Sequence, residues 1–219
     1  MKLFFSLFFL IFINKPLLSN DFESRYQIKS RGISLGFLTW KLKIKDGLYE
    51  TILDLESKGF LSTLYSFEGK YSSTGKIIDN FLIPKEYNQF WKTKKKEKVV
   101  KIFFKNKNIS QINLTPTEKE LPRIKFKELN NYVDPLASFI NILFNQNSSY
   151  TIDGRRAYLL MPNKINGYTK ILIDEYRNIW ADHKRNDLEY LEIYEEPNQI
   201  LPKKINIMFG GSVFYLKRI

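Results

Sequence analysis

One stretch, Asp134 to Phe144, constrains the fold more than any other part of the chain, because it predicts a helix that is apolar on almost every side. Asp134 is a favourable N-cap residue, since its carboxylate accepts hydrogen bonds from free N–H groups of the first turn. Pro135 follows at the first helical position, where its missing N–H costs nothing. The polar side chains form one stripe: Ser138, Asn141 and Asn145. Such a helix must be covered by other elements on most of its faces.

The clearest local signal outside this helix is a β-hairpin at Asp46-Gly47, a dipeptide that is favoured in type I′ turns. Apolar and charged residues alternate on both sides of it. A two-residue loop pairs the apolar residues on one face, with charged partners on the other: Ile44 with Tyr49, Trp40 with Leu53, Leu38 with Leu55, and Lys43 with Glu50. A shift of one residue would set apolar side chains against charges, so the pattern predicts this register.

Other strand signals occur along the chain. Gly210-Gly211 predicts a second two-residue hairpin, which pairs Ile207 with Phe214 and Ile205 with Leu216. Gly36, inside an apolar run, predicts a bulge or a close backbone approach. The run from Lys76 to Ile83 is predicted as continuous strand that stops at Pro84.

Together these elements predict a mainly β fold with few helices, of the α+β class. We expect a curved antiparallel sheet or half-open β-barrel wrapped around one central buried helix. The length of 219 residues fits one β-rich domain, predicted for residues 20–219.

The first 19 residues have the layout of a secretory signal peptide. A positive start at Lys2 precedes an apolar run from Leu3 to Ile13, and Ser19 is an acceptable last residue before cleavage. The run is too short to span a membrane. We expect cleavage after Ser19 or Asn20 and a soluble periplasmic product; an uncleaved N-terminal anchor is the alternative. The chain has no cysteine, so neither a lipid anchor on cysteine nor a disulfide is expected.

Few residues carry reaction chemistry. His183 is the only histidine, and it lies in a polar stretch that is typical of an exposed turn. With one histidine and no cysteine, a zinc site is not expected. No nucleotide-binding or calcium-binding spacing is present. We therefore expect no enzyme activity, no catalytic or metal-binding residues and no cofactor.

The formal net charge is +12, which favours anionic partners. An AT-rich coding sequence, which enriches Lys, Ile, Asn, Phe and Tyr together, is the other explanation, and export argues against nucleic acid. A basic cluster lies at a predicted hairpin tip: Lys92, Lys94, Lys95, Lys96 and Lys98. Two interpretations stay open for it, contact with an anionic envelope surface or protection of a strand edge from pairing with other chains.

Several short motifs, taken in order, resemble one known family. They include Gly32-Ile33, Asp46-Gly47-Leu48-Tyr49, Ser57-Lys58-Gly59, Asp134-Pro135-Leu136 and Asp153-Gly154. In this order the chain resembles the domain of unknown function 3108 family of exported bacterial proteins, from about Tyr26 onward. That family is similar to the periplasmic lipoprotein carriers, whose half-open β-barrel holds helices on its concave side. The resemblance implies this fold and transfers no functional residues.

Two functions from different classes follow. The first is a non-enzymatic carrier, expected to be a monomer, that holds a lipid or a lipoprotein acyl chain between sheet and helix. Its candidate cavity lining is Phe37, Leu38, Trp40, Leu136, Phe139, Ile140 and Leu143. The second is a structural or interaction protein of the cell envelope, with a filled core and no small ligand.

Overall fold

The computed structural model describes residues 20–58, 66–180 and 187–219 of the chain. The predicted signal peptide and His183 lie outside these ranges. The strands are β1 Asn20–Ser30, β2 Ile33–Lys45, β3 Leu48–Ser57, β4 Phe67–Ile78, β5 Phe81–Thr93, β6 Glu97–Lys105, β7 Asn108–Thr115, β8 Ser149–Ile152, β9 Arg156–Ile165, β10 Tyr168–Asn178, β11 Leu188–Tyr194, β12 Lys204–Phe209 and β13 Ser212–Arg218. One α-helix, α1 Pro135–Asn145, and a short 3-10 helix at Phe126–Glu128 lie between β7 and β8.

All the strands belong to one antiparallel sheet with the order β7-β6-β5-β4-β3-β2-β1-β13-β12-β11-β10-β9-β8. The first seven strands and the last six each form a meander, because every strand in them pairs with its neighbour in sequence. The two meanders are joined where β1 pairs with β13, for example at Ile28 and Leu216. The edge strands are therefore β7 and β8, which flank α1 in the sequence.

The two sequence-predicted hairpins are confirmed. Between β2 and β3, Trp40 pairs with Leu53 and Lys43 with Glu50, and Asp46 and Gly47 have φ of 55° and 70°, as a type I′ turn requires. The second hairpin has these pairs: Ile207 with Phe214, and Ile205 with Leu216.

The prediction of one continuous strand from Lys76 to Ile83 is wrong. The chain reverses at Asp79-Asn80, so that Ile78 pairs with Phe81 across a two-residue turn. Both turn residues have positive φ, 50° and 64°. Asp and Asn tolerate this backbone region better than other residues with a side chain, so the turn forms without glycine.

The predicted helix is present with its predicted cap. The Asp134 carboxylate accepts from the backbone N–H groups of Leu136 (2.9 Å) and Ala137 (3.1 Å). The polar stripe of α1 fastens the helix to the sheet. These hydrogen bonds join Ser138 to Thr151 (2.6 Å), Asn141 to both backbone groups of Leu82 (2.7 and 3.1 Å), and Asn145 to the carbonyl of Asn80 (3.1 Å).

The apolar faces of α1 pack on inward-facing residues from both meanders. Ile140 is fully buried in a cluster with Tyr26, Leu42 and Ile205, from β1, β2 and β12. Because Asn145 bonds to the β4–β5 turn, we call that end of the sheet the helix end, and the end with the Gly210-Gly211 turn the far end.

The sheet is curved, since residues close to its two edges lie near each other. A Cβ atom added to Gly154, beside β8, would lie 2.4 Å from the Val100 side chain of β6. The segment between β7 and α1 crosses the space between the two edges of the sheet. Arg123 N–H donates to the carbonyl of Ile179 (2.7 Å), and Asn131 N–H donates to the carbonyl of Lys107 (3.2 Å). Over the described residues the fold is thus mainly β, with one open curved antiparallel sheet and one α-helix.

Candidate functional site

On several strands the inward-facing apolar side chains become more exposed from the helix end to the far end of the sheet, whereas on β1 and β2 the residues Ile28 and Leu38 stay buried. On β12, Ile205 is 4% exposed, Ile207 is partly buried and Phe209 is 42% exposed. Other strands change in the same way from buried to partly buried: Tyr49 to Leu55 on β3, Ile193 to Leu191 on β11, and Leu216 to Phe214 on β13. A space of about 610 Å³ lies beside Ile44, Ile77 and Leu143 at the helix end, and on these strands the concave face is incompletely filled at the far end.

A cavity of about 450 Å³ occupies this incompletely filled region, within the range of about 300–1,000 Å³ that is usual for ligand pockets. Its walls come from both meanders, and Pro135 and Leu136 at the start of α1 contribute to them. Apart from four tyrosines, the lining is apolar except at three residues: Gln89, Asp153 and Arg156. An apolar wall with a few polar groups suits a ligand that is apolar over most of its length.

The dimensions of the elements explain why this space remains. The helix has 11 residues, which at about 1.5 Å each span roughly 16 Å. Strand β2 has 13 residues, which at about 3.3 Å each span roughly 43 Å. One helix of this length covers less than half of the strand length, so α1 does not reach the far end of the concave face, and no other α-helix of the described ranges lies there.

The polar residues of the cavity include an ion-pair cluster. Arg156 lies between two carboxylates, with its Nη1 atom 3.9 Å from Asp153 Oδ2 and its Nη2 atom 3.5 Å from Asp187 Oδ2. Burial raises the pKa of Asp153, and the positive charge of Arg156 partly opposes that shift. The Tyr158 and Tyr176 rings stack beside this cluster, with centroids 5.8 Å apart. Burial also raises the pKa of Tyr176 to about 12, so both phenols are neutral at pH 7.

A second polar network lies at the N-terminus of α1. Ser73 Oγ donates to Asp134 Oδ2 (2.7 Å), and the Tyr49 hydroxyl lies 2.9 Å from Ser73 Oγ. Asp134 is fully buried, and this burial raises the pKa of its carboxyl to about 6. Every group in the network has a partner, so its arrangement is that of a helix cap rather than a reactive centre.

The residues that the sequence predicted as cavity lining divide into four locations. Leu38 and Leu136 line the 450 Å³ cavity. Trp40, Phe139 and Ile140 belong to the packed core near the helix, where the rings of Trp40 and Phe139 have centroids 5.4 Å apart.

The remaining two predicted residues lie elsewhere. Leu143 lies at the helix end, beside Ile44 and Ile77. Phe37 is on the other face of β2, because side chains alternate along a strand. There its ring lies 4.7 Å from the Arg25 guanidinium and 5.5 Å from the Lys58 ammonium. The structure therefore does not bring Phe37 together with the other residues of the set.

The cavity has further lining residues that the sequence prediction did not name. Leu53 and Leu55 on β3 and Ile207 and Phe214 on the last hairpin are among them. A signal for Leu53 and Leu55 was present, because the predicted register of the first hairpin put them on the same face as Leu38. The register of the last hairpin paired Ile207 with Phe214 but did not relate them to Leu38, because the pairing of β1 with β13 was not predicted. The pattern did not show how far along the sheet the helix extends, so it could not separate cavity-lining residues from residues of the packed core.

The lysine-rich hairpin tip between β5 and β6 is held by Thr93. Its hydroxyl accepts from the N–H groups of Lys95 (3.3 Å) and Lys96 (3.1 Å), and its own N–H donates to the carbonyl of Lys96 (2.8 Å). Lys92 forms an ion pair with Glu97 (3.7 Å). The tip is at the far end of the sheet, the same end as the cavity.

Neither a metal-binding cluster nor a membrane-spanning helix occurs in the described part of the chain. Over residues 20–58, 66–180 and 187–219, no three His, Cys, Asp or Glu side chains are grouped so that they would hold a metal ion. In the same ranges, no helix has the length and hydropathy needed to cross a bilayer.

Comparison with known proteins gives a likeness of fold. No family model and no curated protein matches the chain. Among solved structures, the chain is similar to a β-barrel-like protein of the domain of unknown function 1849 family from Brucella abortus, with 9% identity and a TM-score of 0.56 over 93% of this chain and 96% of that chain. That family differs from the 3108 family suggested by the sequence motifs. The likeness therefore supports a β-barrel-like fold of unknown function and does not assign the chain to the 3108 family.

Proposed function

We propose that this protein is a non-enzymatic binding or carrier module, and that the cavity at the far end of the sheet holds a lipophilic ligand such as a lipid or an acyl chain. The observation that carries this proposal is the partial exposure of apolar side chains on the inner wall, among them Leu55, Ile207 and Phe214. Exposed apolar surface in a concave site costs free energy that an apolar ligand would recover on burying it.

The alternative is a structural or interaction protein of the envelope with a filled core. A filled core would bury the inward-facing positions along the whole strand, since protein interiors are close-packed. The change from Ile205, 4% exposed, to Phe209, 42% exposed, along one face of β12 favours the carrier.

The ligand we propose has one long apolar part and a small polar part. The apolar part faces the leucine and isoleucine wall from both meanders. The polar part lies near Arg156 and the hydroxyl groups of Tyr158 and Tyr176, which supply hydrogen-bond donors. Because Asp153 and Asp187 already partner Arg156, we expect a neutral or weakly charged polar group there in preference to a phosphate.

The proposed setting is the periplasm, reached through the predicted signal peptide, with sheet and helix forming a half-open barrel around the ligand. In that setting the far end would carry both the ligand opening and the basic hairpin tip. We propose that the exposed lysines of this tip, Lys95 and Lys96 among them, keep the adjoining strand edges from pairing with other chains.

A cavity-filling substitution tests the carrier function. Ile207→Trp places an indole in the cavity, so we expect it to weaken binding of cis-parinaric acid, a naturally fluorescent fatty acid, by at least about tenfold, which is about 1.4 kcal/mol. The measurement is a fluorescence titration of purified protein, with the melting temperature recorded for each variant.

Met208→Trp is the matched control, because Met208 is the next residue on β12 and points to the opposite face. We expect this control to bind the fatty acid as the wild type does. If the wild type shows no saturable binding, or if the two variants weaken binding equally, the carrier function is wrong.

A further inference from the structure

The sheet contains a split near the helix end, between β5 and β6. Strand β5 begins at Phe81, but its pairing with β6 runs only from Glu86 to Lys92. Pro84 lies in the unpaired part and has no N–H to donate to a neighbouring strand. Asn141 of α1 instead bonds both backbone groups of Leu82, as a strand would. The separation of β5 from β6 is therefore a regular feature of the fold, stabilised by hydrogen bonds from the helix.

An apolar groove lies on the outer side of this split. It has a volume of about 580 Å³, and Leu48, Ile78, Ile83 and Phe104 are among its lining residues. Leu48 is 52% exposed and Ile78 is 46% exposed, and the cross-strand partner of Ile78, Phe81, is 36% exposed. Contiguous exposed apolar side chains of this kind mark interaction sites for proteins or membranes.

The groove is bordered by lysines. Lys45 and Lys76 are the cross-strand neighbours of Leu48 on its two sides, and Lys85 and Lys107 line the groove itself. None of these four side chains forms an ion pair with another residue in the described ranges. Acidic residues lie there too: Asp46 and Asp79 in the adjoining turns, and Glu50 and Glu86, the cross-strand neighbours of the groove-lining Thr74. With Lys43, the partner of Glu50, and the exposed Lys105 beside Phe104, six lysines stand against these four carboxylates, so the surroundings of the groove keep an excess of two positive charges.

We propose that this groove and its lysine border form a docking surface for an anionic phospholipid bilayer. The lysines would contact the phosphates, since each basic residue near an anionic membrane adds to binding. Ile78, Phe81 and Leu48 would enter the interfacial region, as apolar side chains of peripheral proteins do. Charge complementarity selects the bilayer as the occupant, because an apolar groove bordered by cations matches a surface with anionic headgroups above apolar chains. This inference does not depend on a ligand in the far-end cavity.

Sedimentation with lipid vesicles tests this docking surface. We expect the protein to bind vesicles of phosphatidylglycerol and not vesicles of phosphatidylcholine. The double variant Ile78→Ser/Phe81→Ser should lower the fraction bound at least about fivefold, because it removes the two apolar anchors. The double variant Lys76→Glu/Lys85→Glu should do the same through charge, with the melting temperature of each variant showing that it is folded.

Two controls lie at the other end of the sheet. Ile33→Ser removes an equally exposed apolar side chain, 51% exposed, and Lys95→Glu/Lys96→Glu reverses charge at the basic hairpin tip. Both should bind phosphatidylglycerol vesicles as the wild type does, and so should the cavity variant Ile207→Trp. The proposal is overturned if the wild type does not bind these vesicles, or if only the hairpin-tip variant loses binding. It is equally overturned if the groove variants instead abolish a dimer seen by sedimentation velocity.

Discussion

Asp134 both caps the helix and links it to the sheet. Its carboxylate caps α1 through Leu136 and Ala137, and it also accepts a hydrogen bond from Ser73 on β4. The N-cap role was predictable from Asp-Pro in front of an apolar run. The complete burial of the carboxylate was not, because it depends on β4 crossing the N-terminus of the helix.

The pH dependence of stability tests this buried carboxylate. Burial raises the pKa of Asp134 from its ordinary value of 3.8 to about 6 in the folded protein. A group whose folded pKa is raised contributes stability that is present below the unfolded pKa and is lost as pH rises through the folded pKa. We therefore expect the free energy of unfolding to fall between about pH 4 and pH 7 by up to about 3 kcal/mol from this residue, at 1.36 kcal/mol per pKa unit.

Asp134→Asn is the informative variant, since asparagine caps helices about as well as aspartate and does not titrate. We expect its free energy of unfolding, measured by urea denaturation at several pH values, to change less over this range than that of the wild type. The pKa of Asp153 is also raised, so this carboxyl adds its own pH dependence. Asp153→Asn removes that second contribution and should keep the part of the fall that comes from Asp134. A profile for Asp134→Asn with the same slope as the wild type would contradict the assigned burial of the charge.

At the scale of elements, hairpins with a strong turn signal were predictable and those without it were not. Asp46-Gly47 and Gly210-Gly211 each contain the residue that best accepts positive φ, and the alternation on both sides gave the register. Asp79-Asn80 adopts the same kind of backbone, with φ of 50° and 64°, but apolar residues continue on both sides of it. The turn could therefore not be distinguished from continuous strand by periodicity alone.

Gly36, the glycine of β2, lies where the backbone of β3 leaves no room for a side chain. A Cβ atom at this position would lie 2.0 Å from the carbonyl oxygen of Glu56 on β3. The predicted close backbone approach is confirmed. The neighbouring strand would have to move to accommodate a methyl group, because the obstructing atom belongs to the backbone.

We expect Gly36→Ala to lower the free energy of unfolding by about 2 kcal/mol or more, in the upper part of the range for overpacking. Gly47→Ala is the comparison, since its Cβ would meet nothing within 4 Å and its cost comes only from positive φ, about 1 kcal/mol. Chemical denaturation of the two variants beside the wild type measures both effects. Gly36→Ala as stable as the wild type would show that β2 and β3 are farther apart than described.

At the scale of the whole molecule, the fold class followed from the sequence, and the extent of the cavity did not. Periodicity identified which side chains face inward, and the all-round apolar helix indicated that something must cover it. The cavity depends on a mismatch of lengths in ångströms. The 11-residue helix spans roughly 16 Å, whereas β2 and β3, with 13 and 10 residues, span roughly 43 and 33 Å. Phe139 and Ile140 consequently lie in the filled part, and Leu55 and Ile207 face the space beyond the helix.

The same mismatch connects the two proposed surfaces of the molecule. The helix packs on the concave face at one end, where Asn141 also bonds to β5 beside the split between β5 and β6. The cavity occupies the other end, bordered by the lysine-rich hairpin tip. Ligand binding and bilayer docking are thus assigned to opposite ends of one sheet, and variants at one end are expected to leave the other unchanged.

Native mass spectrometry of the wild-type protein, purified without detergent or denaturant, tests the central claim most directly. We expect a species heavier than the polypeptide by the mass of one fatty acid or phospholipid, which is released on collisional activation, because an apolar cavity retains an apolar ligand in water. The variant Ile207→Trp should lack this species and Met208→Trp should keep it. A wild-type spectrum with the polypeptide mass alone, unchanged after addition of cis-parinaric acid, would contradict the claim that the far-end cavity is a ligand site.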